Sequence, residues 1–388
     1  MRNRSYLTDL MIVEALAKYG PRNVTEVARK LGMPAETLRK RIKRLYTQSF
    51  LRFHINVNHA FLGLKKAIVF AEAVPGYEDA LFEALKINDF WIFVGRCYGM
   101  FEGCVAIFVV PMESCHLFEQ FIDELQKFGL AKRAEIFWST YSYSINSRGK
   151  WFNKNKNSWE FNWTEWIEEI KEKTVASALF EPEPTLVDVD RIDILILKEL
   201  EKDARISFRK LAERLKISPQ LVRYHYYNHI ISRGLLKEFD VTFFHFGKNS
   251  DFSFFIFSFD EERNLIKFAA SLMDKPFVKA IGKILNANQL YGYIYLPRSE
   301  LRNFLRALSK LIREGFLKSY QYAIQDLTSS SRATIPFQCY KNGKWEYNHQ
   351  RYMKILHKLL EEKCLTFLLP KPTGNIKQKI KASSRSKF

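Results

Sequence analysis

Between Pro34 and Tyr46 the residues Glu36, Arg39, Lys40, Arg41, Lys43 and Arg44 carry the chemistry of polyanion recognition. Leu38, Ile42 and Leu45 recur among them at helical spacing, which marks one buried face and leaves Glu36, Arg39, Lys40 and Lys43 on the opposite one. An arginine on that face can bridge guanine O6 and N7, and a lysine can reach a base acceptor or a phosphate. Arg41 and Arg44, with Arg29 and Lys30, are placed for phosphates, the commoner class of contact. A later stretch offers different groups on the equivalent face: Gln220, Arg223, Tyr224, Tyr227 and Asn228. Glutamine and asparagine suit adenine, and the tyrosines suit phosphates or thymine methyls. His225 and His229, four apart, have the spacing of a metal pair. They have no acid or cysteine at a suitable sequence spacing, so packed or phosphate-facing histidines are expected and no metal site. No Ser/His/Asp set, P-loop or metal cluster stands out, so neither a catalytic residue nor a cofactor is expected.

Such side chains need a rigid helix behind a tight turn, and both stretches have one. Asp190-Arg191-Ile192-Asp193 opens a helix with Ile192, Leu195, Ile196 and Leu200 on one stripe. Ser207 can cap a second helix that buries Leu211, Ala212 and Leu215. Lys216-Ile217 makes a turn, and Ser218-Pro219 starts a third helix, Gln220 to Ile231, with proline at its first position. In the first copy Leu7, Leu10, Met11, Val13 and Leu16 give the leading helix, stopped at Gly20-Pro21. Asn23 with Glu26 reads as a capping-box-like start, and Gly32-Met33-Pro34 is the turn before the third helix. A shift of 184 residues sets Ala28 on Ala212, Leu31 on Leu215, Met33 on Ile217 and Arg39 on Arg223, an internal repeat.

Each helix-turn-helix is followed by the order βαββαβ, the pattern of a ferredoxin-like sandwich. In the first half the pattern predicts strands over Lys65–Ala73, Phe90–Cys97, Cys104–Val110 and Arg133–Ile145, with helices over Tyr77–Ile87 and Met112–Phe128. The second half repeats it from Phe252 to Leu327. Gly149-Lys150-Trp151 and Gly343-Lys344-Trp345 then precede one more helix each, so the appendage is duplicated too. The fold class expected is α+β: two tandem units, each a winged helix-turn-helix followed by a ferredoxin-like domain. The boundaries are 1–52 and 186–240 for the helix-turn-helix domains, 53–145 and 241–330 for the ferredoxin-like domains. A Trp-rich appendage and Pro-rich linker (Glu181-Pro182-Glu183-Pro184) fill 146–185, a C-terminal appendage 331–369, and a basic tail 370–388.

The formal net charge of +19 over 388 residues points to a polyanionic partner. Residues 1–52 hold twelve Lys/Arg against four Asp/Glu, a net of +8, and residues 186–238 hold eleven against eight, a net of +3. The first module should therefore depend more steeply on salt. Cys97, Cys104, Cys115, Cys339 and Cys364 form no CxxC pair, which predicts reduced thiols in a cytosol. No stretch approaches the roughly 18 apolar residues of a membrane span, and abundant Phe, Tyr, Ile and Lys point to a thermophile.

Asp190-Arg191-Ile192-Asp193-Ile194-Leu195 and Asp203-Ala204-Arg205-Ile206-Ser207 resemble the opening helix and first turn of the Lrp/AsnC (leucine-responsive/asparagine-synthase) regulators of bacteria and archaea. Arg52 to Leu64, with Val57-Asn58 and Leu62-Gly63, is similar to that family's connector. The resemblance covers roughly residues 5–145 and 186–328. It implies a helix-turn-helix joined to a ferredoxin-like domain that dimerises through its sheet and often binds an amino acid. The family's effector loop sets an acid shortly after a glycine, and Gly95-Arg96-Cys97-Tyr98 and Gly282-Lys283-Ile284-Leu285 carry none there. The function expected is a sequence-specific DNA-binding transcription regulator in the cytoplasm, associated with the nucleoid. It acts as a covalent pseudo-dimer that reads an asymmetric site on double-stranded DNA with two unlike recognition helices. The alternative is a factor whose helix-turn-helix units bind the basal transcription machinery or RNA, a reading with which exposed Trp151, Trp159, Trp163 and Trp166 are compatible, and a homodimer could form through the ferredoxin-like domains. The four tryptophans are otherwise expected to clamp the appendage onto its neighbouring sheet. Siroheme decarboxylases also look like paired copies of this architecture, but Phe93-Val94-Gly95-Arg96-Cys97-Tyr98 and Ala280-Ile281-Gly282-Lys283 do not reproduce their His-Asn-Tyr-type segment. A non-enzyme is expected.

Overall fold

The computed structural model describes residues 2–48, 51–139, 142–146, 149–173 and 186–368. The predicted linker at 181–184 and the basic tail at 370–388 lie outside the described residues.

The first unit runs α1 (Arg2–Tyr19), α2 (Val24–Lys30), α3 (Ala35–Gln48) and β1 (Arg52–Val57). It continues through β2 (Leu64–Ala73), α4 (Glu78–Leu85), β3 (Trp91–Gly99), β4 (Gly103–Pro111), α5 (Cys115–Lys127) and β5 (Ala131–Ser139). Short strands β6 (Tyr143–Ser144), β7 (Phe152–Asn153) and β8 (Ser158–Trp159) lead to α6 (Trp163–Glu172). The second unit has α7 (Arg191–Lys202), α8 (Phe208–Leu215), α9 (Pro219–Tyr224) and β9 (Leu236–Thr242). Then come β10 (Ser250–Ser258), α10 (Glu262–Leu272), β11 (Val278–Lys283), β12 (Gln289–Pro297), α11 (Arg298–Arg313) and β13 (Ser319–Arg332). Strands β14 (Tyr340–Lys341) and β15 (Lys344–Trp345) and helix α12 (His349–Leu368) close the described chain. The architecture is α+β, as expected.

Local chemistry sets the helix starts. Asp190 accepts from the Ile192 and Asp193 amides, and Asp193 accepts from the Asp190 amide, a reciprocal box. Ser207 caps α8 and Ser218 caps α9, with Pro219 in the first turn. Asn23 caps α2, but the Glu26 carboxylate turns to Arg29 at 2.6 Å, so only half of the expected box forms. The turns between second and third helices are built alike: Gly32 (φ 62°) and Lys216 (φ 56°) both adopt the left-handed conformation. A Cβ at that conformation costs about 1–2 kcal/mol. Lys216→Gly is therefore expected to raise unfolding stability by about 1 kcal/mol, read by denaturant titration. The predicted third helix of this unit divides: after Tyr224 it becomes π-helical over His225–Ile231.

The nine-stranded sheet has the order β5-β2-β4-β3-β13-β10-β12-β11-β6. Each ferredoxin-like half contributes four strands, and the seam between them is the pairing of β13 with β3. Alternation along the strands builds two faces. Ala67, Val69 and Ala71 turn to α4 and α5, whereas Ile68 and Phe70 turn inward to a core shared with Phe254, Ile256, Tyr291 and Tyr293 of the second half. The inner faces pack on each other, with Phe93 and Phe254 ring centroids 5.4 Å apart. The inner sheet faces of the two halves are thus engaged with each other within one chain.

The two halves also exchange elements. The expected strand Arg133–Ile145 breaks after β5, and β6 pairs instead with β11 of the other half. Strands β1 and β9 form an antiparallel ribbon from Arg52↔Thr242 to Val57↔Leu236. Helix α1 packs on β9 and α7 on β1. Both helix-turn-helix domains consequently share one core that includes Leu16, Leu38, Ile42, Leu197, Leu211 and Val222. The appendages cross as well: α6 lies on α10 and α11, and α12 lies on α5 and α4. Trp163 and Trp166 therefore pack on α10 and α11 of the opposite half, through Phe268 and Phe304. Trp151 leans on Phe277 just before β11, and Trp159 on His245 and Phe246 between β9 and β10. The expected clamp onto the neighbouring sheet is replaced by these contacts. No described helix is long and apolar enough to cross a membrane.

Candidate functional site

Helix α3 buries Leu38, Ile42 and Leu45 as the spacing predicts. Glu36, Arg39, Lys40 and Lys43 are exposed on the other side, with Glu36 reaching Arg39 at 3.6 Å. Arg41 and Arg44, expected at phosphates, turn back to the buried carboxylate of Asp9 at 2.9 and 2.5 Å. Burial pushes the Asp9 pKa up, and the two guanidiniums pull against it. Both arginines thus first compensate a buried charge, and Arg44 keeps part of its surface in solvent.

On the second recognition helix Gln220, Arg223, Tyr224, Tyr227 and Asn228 are all exposed, while Val222, Tyr226 and Ile230 are buried. Tyr224 and Tyr227 keep about half of their surface, and Leu221 and Ile231 are exposed beside them. The Arg223 guanidinium lies 5.7 Å from the Tyr227 ring centroid. This face is aromatic and amide-rich where the first is cationic.

Three contributors were not singled out from sequence. A groove of about 820 Å³ runs between the two modules, lined by Arg39 and Lys43 from α3 and by Arg205, Lys210 and Arg214 from the second unit. Asp203 is the one acid lining it, and Arg214 is shared with Glu199 at 2.6 Å. Ser207, the cap of α8, also lines the groove, so the positive end of that helix dipole borders it. Nothing in the spacing of Arg205, Lys210 and Arg214 distinguishes them from solvated charges, because the surface they face belongs to α3 in the other half of the chain. Arg22 likewise crosses to the second unit, stacking between the Phe208 and Tyr226 rings at 4.7 and 4.8 Å. The acid that sequence spacing does not place beside His225 and His229 is supplied in space by Asp193, 2.8 Å from His225 and 3.0 Å from His229.

A separate cavity of about 370 Å³ opens where the β1–β9 ribbon meets the paired sheets. It is lined by His54, Glu201, Asp240, Lys279, Tyr291 and Arg332, among others. Lys279 holds Asp240 at 2.5 Å; burial raises the Asp240 pKa, but the ammonium outweighs it and leaves the carboxyl below its usual range. Burial pushes His54 down, while its Nδ1 sits 2.7 Å from the Glu201 carbonyl. Glu201 moves the other way: burial raises its carboxyl pKa to about 7 against the Ile335 amide it accepts from. The folded state therefore keeps a proton that the unfolded chain loses above pH 4.5, and stability falls as pH rises from there to about 7. Glu201→Gln, which retains an acceptor for Ile335, removes this slope. At roughly 1.4 kcal/mol per pKa unit, it should gain about 3 kcal/mol over the parent at pH 8 and nothing at pH 4. Denaturant midpoints at the two pH values check this.

The winged helix-turn-helix DNA-binding family profile matches residues 189–226, the span of α7 to α9. No curated protein sequence matches the chain. Among solved structures, the siroheme decarboxylase NirDL is similar with a TM-score of 0.51 at 11% identity, over 92% of this chain and 99% of its own. The same enzyme in co-complex with an iron-uroporphyrin III analogue gives 0.50 at 10% identity, over 88% and 94%. LrpC of B. subtilis aligns over 34% of this chain and 90% of its own at 20% identity, with a TM-score of 0.28. At these identities the long alignments show a shared fold.

Proposed function

We propose that this chain is a sequence-specific DNA-binding transcription regulator of the Lrp/AsnC kind, built as a covalent pseudo-dimer. The observation that carries this reading is the pair of unlike recognition faces mounted on one core. Arg39, Lys40 and Lys43 lie exposed on α3, and Gln220, Arg223, Tyr224, Tyr227 and Asn228 lie exposed on the second recognition helix. The β1–β9 ribbon and the common core fix the two helices in relation to each other. The 189–226 profile match supports DNA as the ligand of the second module. The basic groove between the modules supplies phosphate contacts that set register and orientation, while the exposed faces read base edges. In this reading Arg41 and Arg44 mainly hold α3 against α1, and Glu36 limits how freely Arg39 moves.

A symmetric dimer reads a palindrome because operator symmetry mirrors protein symmetry. Two unlike helices in one chain read two different half-sites. Selection of binding sites from random duplexes, followed by footprinting with the full chain, is expected to return an asymmetric bipartite site. A short palindrome protected by a monomeric chain would overturn the pseudo-dimer reading. Occupancy of nearly all promoters irrespective of sequence would point to contact with the transcription machinery.

One observation favours a second reading, an enzyme of the siroheme decarboxylase kind: the fold similarity extends over nearly the whole of both chains. The cavity with Lys279 and Arg332 could receive carboxylates. Its volume of about 370 Å³ is at the low end of the roughly 300–1,000 Å³ of small-molecule sites, nearer a compact carboxylate than a tetrapyrrole. Titration with iron-uroporphyrin separates the readings. A saturable change in its visible spectrum, lost in Arg332→Ala, supports the enzyme, and an unchanged spectrum retires it.

A further inference from the structure

The two recognition helices anchor to their leading helices through the same position in different ways. In the first unit the buried carboxylate is Asp9, and Arg41 and Arg44 neutralise it. Shifted by 184 residues, Asp9 becomes Asp193 and Arg41 becomes His225. Asp193 is fully buried, and its partners are His225 and His229, whose rings stand 4.5 Å apart at the mouth of the π-helical segment. Two fixed cations are thus replaced by two imidazoles, which carry full charge only when protonated. A second carboxylate, Asp190, is added where the first unit has Tyr6.

The oxygens divide between two tasks. Asp190 gives Oδ1 to the helix cap and leaves Oδ2 3.7 Å from His225 Nδ1. Asp193 accepts the Asp190 amide at Oδ2 and turns Oδ1 to His225 at 2.8 Å, while His229 Nδ1 sits astride the carboxylate, 3.1 Å from Oδ1 and 3.0 Å from Oδ2. One ligand atom from each of the four residues lies within 4.8 Å of the others. Zn²⁺ bonds of 2.0–2.1 Å to nitrogen and oxygen place tetrahedral donors about 3.3 Å apart, between the separations seen here. Two imidazole nitrogens with two carboxylate oxygens make a dinegative N₂O₂ set suited to Zn²⁺. The π-helical turn is the kind of local irregularity that recurs at functional sites.

We propose that Asp190, Asp193, His225 and His229 form a divalent transition-metal site for Zn²⁺, which pins the second recognition helix to the start of α7. Binding requires each Nδ1 to be free of its proton, so the imidazole proton moves to Nε2 or leaves to solvent, and the ion takes its place between Nδ1 and carboxylate. The site stands on this cluster alone and does not depend on what the helix reads.

The test uses the untagged full chain, stripped with chelator and titrated with Co²⁺ while the visible spectrum is recorded. One equivalent is expected to give the intense band of four-coordinate Co²⁺, Zn²⁺ should displace it, and the melting temperature should rise with metal. His229→Gln is expected to weaken binding by more than the roughly 10–100-fold that loss of an outer-shell partner costs. Asp190→Asn, which keeps an equally good cap, should abolish the four-coordinate band while the chain still melts cooperatively. Absence of a band at one equivalent, or a band unchanged in both variants, would overturn the site and leave a histidine pair hydrogen-bonded to Asp193.

Discussion

The triple variant Arg39→Ala, Lys40→Ala, Lys43→Ala is expected to bind duplex DNA on the order of 1,000-fold more weakly at low salt, with the fold intact. Each of the three side chains is exposed and leaves the Leu38–Ile42–Leu45 face untouched. Three contacts of about 1–2 kcal/mol each give that loss. The slope of log K against log salt should fall by up to about 2.7, or 0.9 for each phosphate neutralised. The corresponding change on the other helix, Gln220→Ala, Arg223→Ala, Asn228→Ala, removes one charge only. Its slope should fall by about 1, and its main effect should be relaxed discrimination at one half-site, at about 1–3 kcal/mol for each lost base contact. Fluorescence anisotropy over a salt series, on the selected site and on scrambled duplex, measures both. Equal slopes and equal loss of discrimination in the two variants would contradict the division between a cationic arm and a discriminating arm.

Those two faces were legible in the sequence because they depend on local periodicity. Helical spacing put Leu38, Ile42 and Leu45 inside, and the Ser207, Ser218-Pro219 and Asp190 signals marked helix starts that the structure reproduces. The α+β class followed from the strand and helix order. What the pattern could not reveal is which half each element serves. Strand β6 looks like the end of β5, yet it completes the other half's sheet at Ala280↔Ser144. Phosphate roles for Arg41 and Arg44 follow from charge alone, and only the burial of Asp9 shows that the two arginines have another task. The same blindness hid the acids beside His225 and His229. Asp193 is 32 residues before His225, and the turn of a whole helix-turn-helix brings them to 2.8 Å.

Trp166→Ala is expected to destabilise the whole chain by about 3–5 kcal/mol, the cost of emptying a fully buried indole site. Trp166 has no exposed surface and lies among Phe268, Phe277 and Phe304, with ring centroids 5.7–5.8 Å away. Its Nε1 donates to Ser271 Oγ at 3.2 Å, so the substitution also removes the bond that hydroxyl accepts and leaves only the one it donates to the Phe268 carbonyl. An indole presented to a binding partner would be exposed, and its removal would change binding rather than stability. Because α6 belongs to the first half but covers α10 and α11 of the second, the effect should reach both halves. Denaturation followed by far-UV circular dichroism should show one cooperative transition at lower denaturant. If the appendage were merely laid on the surface, an early minor transition would separate from an unshifted main one. The same logic predicts a smaller loss for Trp159, which is half-buried and leans edge-on against Phe246 at 4.7 Å. The difference between the two variants therefore measures how far the crossed appendages, as distinct from the sheet seam of β3 and β13, hold the two halves in one folding unit.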